Sequence, residues 1–199
     1  MLHMIIGGSG SGKSEYAEKI AYDSFEAGME TGRLIYIATM YPYSFGTDTV
    51  DDESAKKIDK HRKMRAGKGF VTCECYTDIV NIDCCSEDVL LLECISNLLA
   101  NELYLKDGKL DTNTSMDNIK KITDKQIIEP ILKLTLKAKK LIVVTNEIFS
   151  DLMTESYDEE TELYVNLLGY INSELAKKAK IVTEVFCGIP IVIKNAEEN

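Results

Sequence analysis

Near its amino terminus the chain carries a glycine-rich segment that directly follows a short apolar run. The apolar run is Met4-Ile5-Ile6, and the segment reads Gly7-Gly8-Ser9-Gly10-Ser11-Gly12-Lys13-Ser14. It matches the pattern G-x-x-x-x-G-K-[ST] at every fixed position. In such a segment the backbone N–H groups turn inward around a phosphate, and glycines let the chain approach it closely. We therefore expect a strand, a phosphate-binding loop and a helix, in that order.

The residues that follow the loop have the pattern of an amphipathic helix from Ser14 to Ala27. Apolar side chains recur there at roughly helical spacing, with Glu15, Glu18 and Lys19 between them, at Tyr16, Ala17, Ile20, Ala21 and Phe25. Lys13 is then placed to reach the β- and γ-phosphates of a nucleotide, and the Ser14 hydroxyl to reach Mg²⁺. A flexible Gly/Ser linker is the alternative, but a linker would not join an apolar run to an amphipathic helix through Lys-Ser.

Length and charge limit the class of protein. The 199 residues suffice for one domain with a substantial core, so we expect a single catalytic domain over 1–199. The net charge of −10 argues against non-specific binding of nucleic acid or of an anionic membrane, so phosphate binding must be local. No apolar run approaches the roughly 18 residues of a membrane span, and no signal-peptide pattern is present. We expect a cytoplasmic protein without membrane insertion.

The cysteine pattern fits that compartment. The six cysteines include no C-x-x-C pair and have no histidine close by in sequence. A structural zinc site is therefore not expected. We expect reduced thiols that act as small buried side chains on strands.

Short apolar runs alternate with helical patterns along the chain. The predicted strands are Met4–Ile6, Leu34–Ala38, Phe70–Cys73, Val89–Leu92, Leu141–Thr145 and Ile181–Phe186, with an antiparallel edge strand at Ile191–Ile193. The further predicted helices are Asp52–Met64, Thr77–Ile82, Ile95–Leu103, Met116–Leu136 and Asp158–Lys178, and the predicted surface loops are Tyr41–Val50 and Lys106–Ser115. This alternation predicts an α/β fold with a mostly parallel, doubly wound sheet flanked by helices.

Ligands of such sheets bind beyond the carboxyl ends of the strands, where this chain carries polar residues. Ala38-Thr39-Met40 ends the second predicted strand, and Thr145-Asn146-Glu147 ends the fifth. Glu93 follows four apolar residues, the place of the second acidic residue of phosphate-loop enzymes, and suits Mg²⁺ directly or through water. The alternative is that Glu93 caps a neighbouring helix.

A second candidate segment, 51–65, starts acidic and ends basic. His61, one of two histidines, stands there among the cations Lys60, Arg62, Lys63 and Arg65. These cations favour a bound phosphate and lower the pKa of the imidazole, which leaves it neutral and nucleophilic. The alternative is an ordinary solvated basic face. We interpret the other histidine, His3, as a structural or exposed residue.

Motifs along nearly the whole chain occur in the order of one enzyme family. They are Gly7-Gly8 to Ser14, Tyr36-Ile37-Ala38-Thr39, Ile58-x-x-His61-Arg62-x-x-Arg65, Thr72-x-Glu74, Leu91-Leu92-Glu93-Cys94-Ile95, Asn146-Glu147, Asn172-x-x-Leu175-Ala176 and Gly188-Ile189-Pro190. The chain resembles the bifunctional adenosylcobinamide kinase/adenosylcobinamide-phosphate guanylyltransferases of cobalamin biosynthesis. It departs from them after Glu147, where Ile148 to Met153 replaces their glycine-rich stretch.

The resemblance implies a RecA-like P-loop NTPase fold, a homotrimer, and two reactions. Adenosylcobinamide is phosphorylated with ATP or GTP, and GMP then passes from GTP through a histidine to adenosylcobinamide phosphate. By similarity His61 carries the GMP, Lys13 is the second catalytic residue, and Ser14 and Glu93 bind Mg²⁺. The nucleotide-binding residues implied are Gly7, Gly8, Ser9, Gly10, Ser11, Gly12, Lys13, Ser14, Ala38, Thr39, Met40, Arg62, Lys63, Met64, Arg65, Glu74 and Glu93.

Two other functions are compatible with the phosphate loop. One is a small-molecule kinase without guanylyl transfer, in which His61 binds phosphate electrostatically and forms no covalent adduct. The other is a nucleotide-dependent switch that orders loops such as 41–50 and performs no chemistry. Neither explains the Ile-x-x-His-Arg segment together with Leu-Leu-Glu-Cys and Asn-Glu.

Overall fold

The computed structural model describes residues 1–27, 32–44, 47, 49–112, 114–148 and 157–196. One sheet of seven strands has the order β3-β2-β4-β5-β1-β6-β7. The strands are β1 Leu2–Gly7, β2 Leu34–Ala38, β3 Phe70–Glu74, β4 Val89–Leu92, β5 Lys140–Asn146, β6 Ile181–Phe186 and β7 Ile189–Asn195. The first six pair in parallel, and β7 is an antiparallel edge strand, as predicted.

Helices join the parallel strands. They are α1 Lys13–Glu26, α2 Asp52–Arg65, α3 Ile95–Tyr104, α4 Met116–Thr123, α5 Glu129–Lys137 and α6 Glu159–Lys178. Alternate residues of the strands face opposite sides of the sheet. Leu2 and Met4 of β1 join a large apolar cluster beneath α3 to α6, whereas Ile5 joins a smaller cluster beneath α1. The sheet is therefore covered on both faces, and the predicted α/β architecture is confirmed.

Helix α2 differs from the other long helices because it buries only Arg65. Its start is fixed by Asp51, whose carboxylate accepts a hydrogen bond from the Ser54 amide at 2.7 Å. Its other side chains are exposed or half-buried, so apolar packing contributes little to holding it. The helix instead contributes residues to the rim above the carboxyl ends of the strands.

Two predicted helices were wrong in detail. The expected helix Thr77–Ile82 is a single 3₁₀ turn over Ile79–Asn81. The expected continuous helix Met116–Leu136 is divided between α4 and α5 by a π-helical turn, Asp124–Ile128. Pro130 accounts for this interruption, because it has no N–H to donate to the carbonyl four residues earlier.

The other sequence predictions have mixed outcomes. Residues 106–112 and 114–115 are outside helices and strands, as predicted, whereas loop 41–50 and segment 148–153 lie partly outside the described residues. All six thiols are unpaired, but Cys85 and Cys187 are exposed and the others are only half-buried, so the expected burial was wrong.

His3 is buried and bonds Thr183 Oγ1 through Nε2 at 2.9 Å. No helix within the described ranges is long and apolar enough to span a bilayer.

Candidate active site

The phosphate loop is held in place by hydrogen bonds among its own residues and by the turn between β6 and β7. Lys13 Nζ donates to the Gly8 carbonyl at 3.0 Å, and the Ser11 amide donates to the same oxygen at 3.2 Å. Two glycines are required by this geometry. A Cβ on Gly7 would lie 2.6 Å from the Val185 carbonyl oxygen, and Gly12 has a φ of 90°.

Helix α1 begins directly at the loop and points its first turn into a cavity of about 470 Å³. Gly12 occupies the position before the helix and supplies no side-chain cap, so the first N–H groups are free to bind an anion. This phosphate-loop cavity is lined by Ser9 to Glu15, Met40, Lys57, Lys60, His61, Met64, Glu93, Cys94, Asn97, Val144 and Asn146. Burial lowers the pKa of Lys13, which an incoming phosphate would offset.

Glu93 is fixed at the end of β4 by the chain that follows β2. Its Oε2 accepts hydrogen bonds from the backbone N–H groups of Thr39, at 3.0 Å, and Met40, at 3.3 Å. Ser14 and Glu93 therefore provide a hydroxyl and an oriented carboxylate on the wall of one cavity. Within the described ranges no group of three or more His, Cys, Asp or Glu side chains is placed to hold a metal. Two protein oxygens suit Mg²⁺ that arrives with nucleotide phosphates and keeps several waters.

A second cavity, of about 320 Å³, adjoins the first beneath α2. Its lining includes Tyr36, Ala38, Met40, Pro42, Tyr43, Ile58, Asp59, His61, Arg62, Arg65, Thr72, Glu74, Tyr76 and Glu93. The Arg65 guanidinium lies over the Tyr36 ring, 3.5 Å from its centroid. At the rim Glu74 accepts hydrogen bonds from Arg62 and from the Tyr76 hydroxyl, each at 3.2 Å. We call this the aromatic cavity.

His61 lines both cavities, as do Met40 and Glu93. Burial is the main cause that lowers the pKa of His61. The carboxylates of Glu93 and Glu18 raise this pKa, and the cations Arg65 and Lys60 lower it by less than burial does. The neutral imidazole predicted from the sequence is thus supported, although desolvation outweighs the cations as its cause. His61 Nδ1 is buried and has no hydrogen-bond partner among the described residues.

Most of the predicted nucleotide-site residues lie at these two cavities. Ser9 to Ser14, Met40, Met64 and Glu93 line the first, whereas Ala38, Arg62, Arg65 and Glu74 line the second. Gly7 ends β1 and the Gly8 carbonyl accepts hydrogen bonds from Lys13 and Ser11, so neither glycine lines a cavity. Thr39 is buried, and its hydroxyl donates to the Cys94 carbonyl. Lys63 lines neither cavity and instead forms an exposed pair with Asp59.

The motifs named above fall within the range matched by one known protein family. The family model described as cobinamide kinase / cobinamide phosphate guanyltransferase matches residues 3–193. The chain belongs to this family. The predicted resemblance is therefore confirmed, and with it the prediction that the chain is a cobinamide kinase and guanylyltransferase of cobalamin biosynthesis.

Full-length relatives agree with the family assignment. The bifunctional adenosylcobalamin biosynthesis proteins CobU of Salmonella typhimurium and of Escherichia coli are each 28% identical to the chain over 198 residues. The match covers 98% of this chain and 100% of each relative. Among solved structures an ATPase domain superposes with a TM-score of 0.51 at 9% identity, over 98% of this chain and 77% of that domain. This likeness supports the predicted RecA-like P-loop fold.

Sequence reasoning missed two buried polar residues of this family member, Asn101 and Glu18. Asn101 of α3 donates its side-chain N–H groups to the carbonyls of Thr39, at 2.8 Å, and Tyr76, at 2.9 Å. The sequence pattern places Glu18 of α1 on the polar face, but Glu18 is buried and pairs with Lys68 at 3.0 Å. A polar residue at a buried helical position was the only available signal for Asn101. Glu18 gave no signal, because the Lys68 partner lies 50 residues away.

Proposed function

We propose that His61 is the nucleophile of the guanylyl transfer. The observation that supports this proposal is that His61 lines both the phosphate-loop cavity and the aromatic cavity. A nucleotide whose phosphates bind the loop can then present its α-phosphorus to the imidazole. Nδ1 is buried, so we propose that Nε2 is the attacking nitrogen, with the proton of the neutral ring on Nδ1.

The transfer consists of two displacements. Nε2 forms a bond to the α-phosphorus of GTP while the bond from that phosphorus to the bridging oxygen breaks, and pyrophosphate leaves with the electron pair. The ring keeps its Nδ1 proton and becomes positively charged. A phosphate oxygen of adenosylcobinamide phosphate then attacks the same phosphorus, and the N–P electron pair returns to Nε2. Adenosyl-GDP-cobinamide is formed without net proton transfer.

The kinase step uses the loop itself. The first amides of α1 and the Lys13 ammonium hold the β- and γ-phosphates of ATP or GTP, while the aminopropanol hydroxyl of adenosylcobinamide attacks the γ-phosphorus. The bond from that phosphorus to the β,γ-bridging oxygen breaks, ADP or GDP leaves with the electron pair, and the hydroxyl proton passes to water. Ser14 and Glu93 are the residues that would hold Mg²⁺. The ion, when bound, would neutralise charge on the phosphates. We propose that this chemistry takes place in the cytoplasm.

Incubation with Mg²⁺ and α-labelled GTP, followed by denaturation and peptide mapping, tests the nucleophile. We expect an acid-labile, alkali-stable GMP adduct on the peptide that contains His61, discharged by adenosylcobinamide phosphate. The adduct is absent from His61→Ala and retained by His3→Gln, which alters the only other histidine. A protein that binds GTP but forms no adduct would leave a kinase without guanylyl transfer.

The homotrimer is a separate proposal. Strand β7 is the outer edge of the sheet, and large apolar side chains are exposed there and at the end of β6, namely Phe186, Ile189, Ile191, Val192 and Ile193. An exposed apolar edge of this kind is a site for association. Light scattering after size exclusion should give three times the mass of the 22.3 kDa chain. Ile191→Lys and Ile193→Lys should shift the mass to that of one chain.

A further inference from the structure

The asparagine that ends β5 lies beside the phosphate loop, and the proposed mechanism does not use it. The Asn146 backbone pairs with Gly7, the last residue of β1, and the next amide, that of Glu147, donates a hydrogen bond to the Gly7 carbonyl at 3.0 Å. Asn146 lines the phosphate-loop cavity but not the aromatic cavity. It is therefore a polar residue of the nucleotide site whose part in the chemistry is still unassigned.

Helix α6 fixes the backbone at this position. Asn172 of α6 is buried, and its side-chain N–H donates to the Asn146 carbonyl at 3.3 Å while its Oδ1 accepts from the Thr145 hydroxyl at 2.7 Å. The Asn146 carboxamide is held much less firmly. Within the described part of the chain its one hydrogen-bond partner is Cys94 Sγ, a weak acceptor 3.9 Å away that also lines the cavity. A fixed backbone thus presents a carboxamide with unused donor and acceptor capacity to the cavity.

The strand order places this carboxamide at the terminal-phosphate end of the site. The carboxyl ends of β4, β5 and β1 carry Glu93, Asn146 and the phosphate loop in that spatial order, with adjacent strands about 4.8 Å apart. Ala38 of β2 and Glu74 of β3 line the aromatic cavity on the other side of Glu93. A nucleotide whose β- and γ-phosphates bind the loop and whose α-phosphorus faces His61 extends from β1 toward β3. Its γ-phosphate is then nearest to β1 and β5.

We propose that Asn146 is a catalytic residue of the kinase step, in which it holds the acceptor hydroxyl against the γ-phosphate. This rests on the proposed binding of the β- and γ-phosphates at the loop. Asn146 Nδ2 donates to a γ-phosphate oxygen, and Oδ1 accepts a hydrogen bond from the aminopropanol hydroxyl. The hydroxyl oxygen bonds to the γ-phosphorus, and the bond to the β,γ-bridging oxygen breaks. The nucleoside diphosphate leaves with the electron pair, the hydroxyl proton passes to water, and the carboxamide stays neutral.

A neutral carboxamide suits both partners of this reaction. It carries donors and an acceptor in one plane, so it binds a phosphate oxygen and a hydroxyl at the same time without adding charge. The charge on the phosphates is met by Lys13 and the first amides of α1, whereas the acceptor hydroxyl is neutral and has to be oriented. Guanylylation takes place at the α-phosphorus beside His61. Asn146 should therefore affect phosphoryl transfer far more than guanylyl transfer.

Two single-turnover reactions at saturating GTP test this separation. Transfer of labelled γ-phosphate to adenosylcobinamide measures the kinase step, and labelled GMP bound to the protein measures guanylylation. We expect Asn146→Ala to slow phosphoryl transfer about 100-fold or more, and guanylylation by no more than about threefold. Asn146→Asp keeps an acceptor oxygen but replaces the donor with a charged oxygen, so it should slow phosphoryl transfer at least as much. Asn118→Ala, which alters an exposed asparagine of α4, is the matched control and should change neither rate.

A purely structural asparagine gives a different result. If Asn146 only holds β5 against the loop, both rates fall together, and equal losses would overturn the proposal. A kinase rate within about threefold of the wild type in both variants would overturn it as well. The guanylylation rate also reports whether each variant is folded, and Asn146→Asp preserves the size of the side chain.

The wild type separates this proposal from those on which it rests. A wild type that binds GTP but transfers no phosphate to adenosylcobinamide would refute the proposed kinase step, and the role of Asn146 with it. A wild type that phosphorylates adenosylcobinamide but forms no GMP adduct would refute only the role of His61. Binding of a non-hydrolysable GTP analogue then replaces guanylylation as the reference. Loss of phosphoryl transfer with retained binding supports Asn146, and equal loss of both overturns its role.

Discussion

The backbone N–H of Gly188 donates a hydrogen bond to the carbonyl oxygen of Ser11 at 2.8 Å. This bond ties the turn between β6 and β7 to the phosphate loop. The same turn closes over Gly12, whose Cα would carry a Cβ only 3.2 Å from the Gly188 Cα. The turn between β6 and β7, at the carboxyl end of the sheet, is therefore packed directly against the phosphate loop and leaves little space there.

We expect Gly7→Ala to destabilise the protein, because its new methyl group would meet the Val185 carbonyl oxygen at 2.6 Å. Overpacking of this kind costs about 1–3 kcal/mol of unfolding free energy. Gly8→Ala is the matched control, since a Cβ there has no neighbour within 4 Å. Urea unfolding measures both. Equal stability of the two variants would show that the loop moves freely away from β6.

Protonation of His3 should make the protein less stable in mild acid. Burial, with a smaller contribution from Lys140, lowers the pKa of His3 from 6.5 to about 4. The unfolded chain therefore binds the proton first. The contribution of neutral His3 to the free energy of unfolding is complete above pH 6.5 and is lost as pH falls from there toward 4. Between pH 7.5 and 5 the loss is about 2 kcal/mol.

His3→Gln tests this contribution because glutamine retains a polar group for Thr183 but does not titrate. Unfolding free energies of the wild type and the variant are compared at pH 7.5, 6 and 5. We expect the difference between them to change by about 2 kcal/mol over this range, to the disadvantage of the wild type in acid. A difference that does not vary with pH would mean that folded His3 takes up protons as readily as the unfolded chain.

Asn101 should stabilise both the fold and the aromatic cavity. Its amide holds the carbonyls of Thr39 and Tyr76, which belong to the segments after β2 and β3. Asn101→Ala leaves two carbonyls without this donor and should cost about 2 kcal/mol of unfolding free energy. It should also weaken nucleotide binding, because Met40 and Tyr76 line the site.

Asn118→Ala is the control for this prediction. The Asn118 amide donates to Thr114 Oγ1 at 2.9 Å, but this contact is exposed on α4 and far from the cavities in sequence. Its removal should change stability by less than about 0.5 kcal/mol. Chemical denaturation and titration with a GTP analogue give the two readouts. Similar losses of stability and of nucleotide binding in both variants would mean that the Asn101 hydrogen bonds contribute no more than an exposed hydrogen bond does.

The phosphate loop and the sheet were predictable because their determinants are local. A glycine pattern between a strand and a helix specifies the loop, and short apolar runs specify parallel strands buried on both faces. Polar residues at the strand ends were the place to look for a ligand site, and Glu93 and Asn146, which follow or end two of these strands, both line the phosphate-loop cavity. The predicted strand Ile191–Ile193 proved longer, at Ile189–Asn195, because pairing with β6 extends it.

The parts that sequence reasoning missed depend on distant partners. Glu18 looked like part of a solvent-facing stripe, and only the chain after α2 buries it against Lys68. The predicted helix at Thr77–Ile82 forms just one turn, where Asp78 adopts a left-handed conformation and its amide donates to Glu102. In each case a tertiary contact overrides the local pattern.

Arg65 and Arg62 differ in surroundings although they lie on the same turn of α2. Arg65 stacks on the Tyr36 ring and is 7% exposed, whereas the Arg62 side chain is 61% exposed and contacts Glu74. A lysine does not reproduce the planar guanidinium that packs on an aromatic ring. We therefore expect Arg65→Lys to reduce the rate of guanylylation at least tenfold, and Arg62→Lys to reduce it threefold or less, as is usual for an exposed pair.

Single-turnover formation of the GMP adduct, followed by intact mass, measures this difference. Thermal unfolding in the same buffer distinguishes a displaced positive charge at residue 65 from a general loss of structure. If Arg65 fixes the charge beside His61, its variant reacts slowly even at temperatures well below its midpoint. Equal rates for the two lysine variants would instead place both arginines in a diffuse electrostatic field, in which the stacking on Tyr36 has no consequence for the reaction.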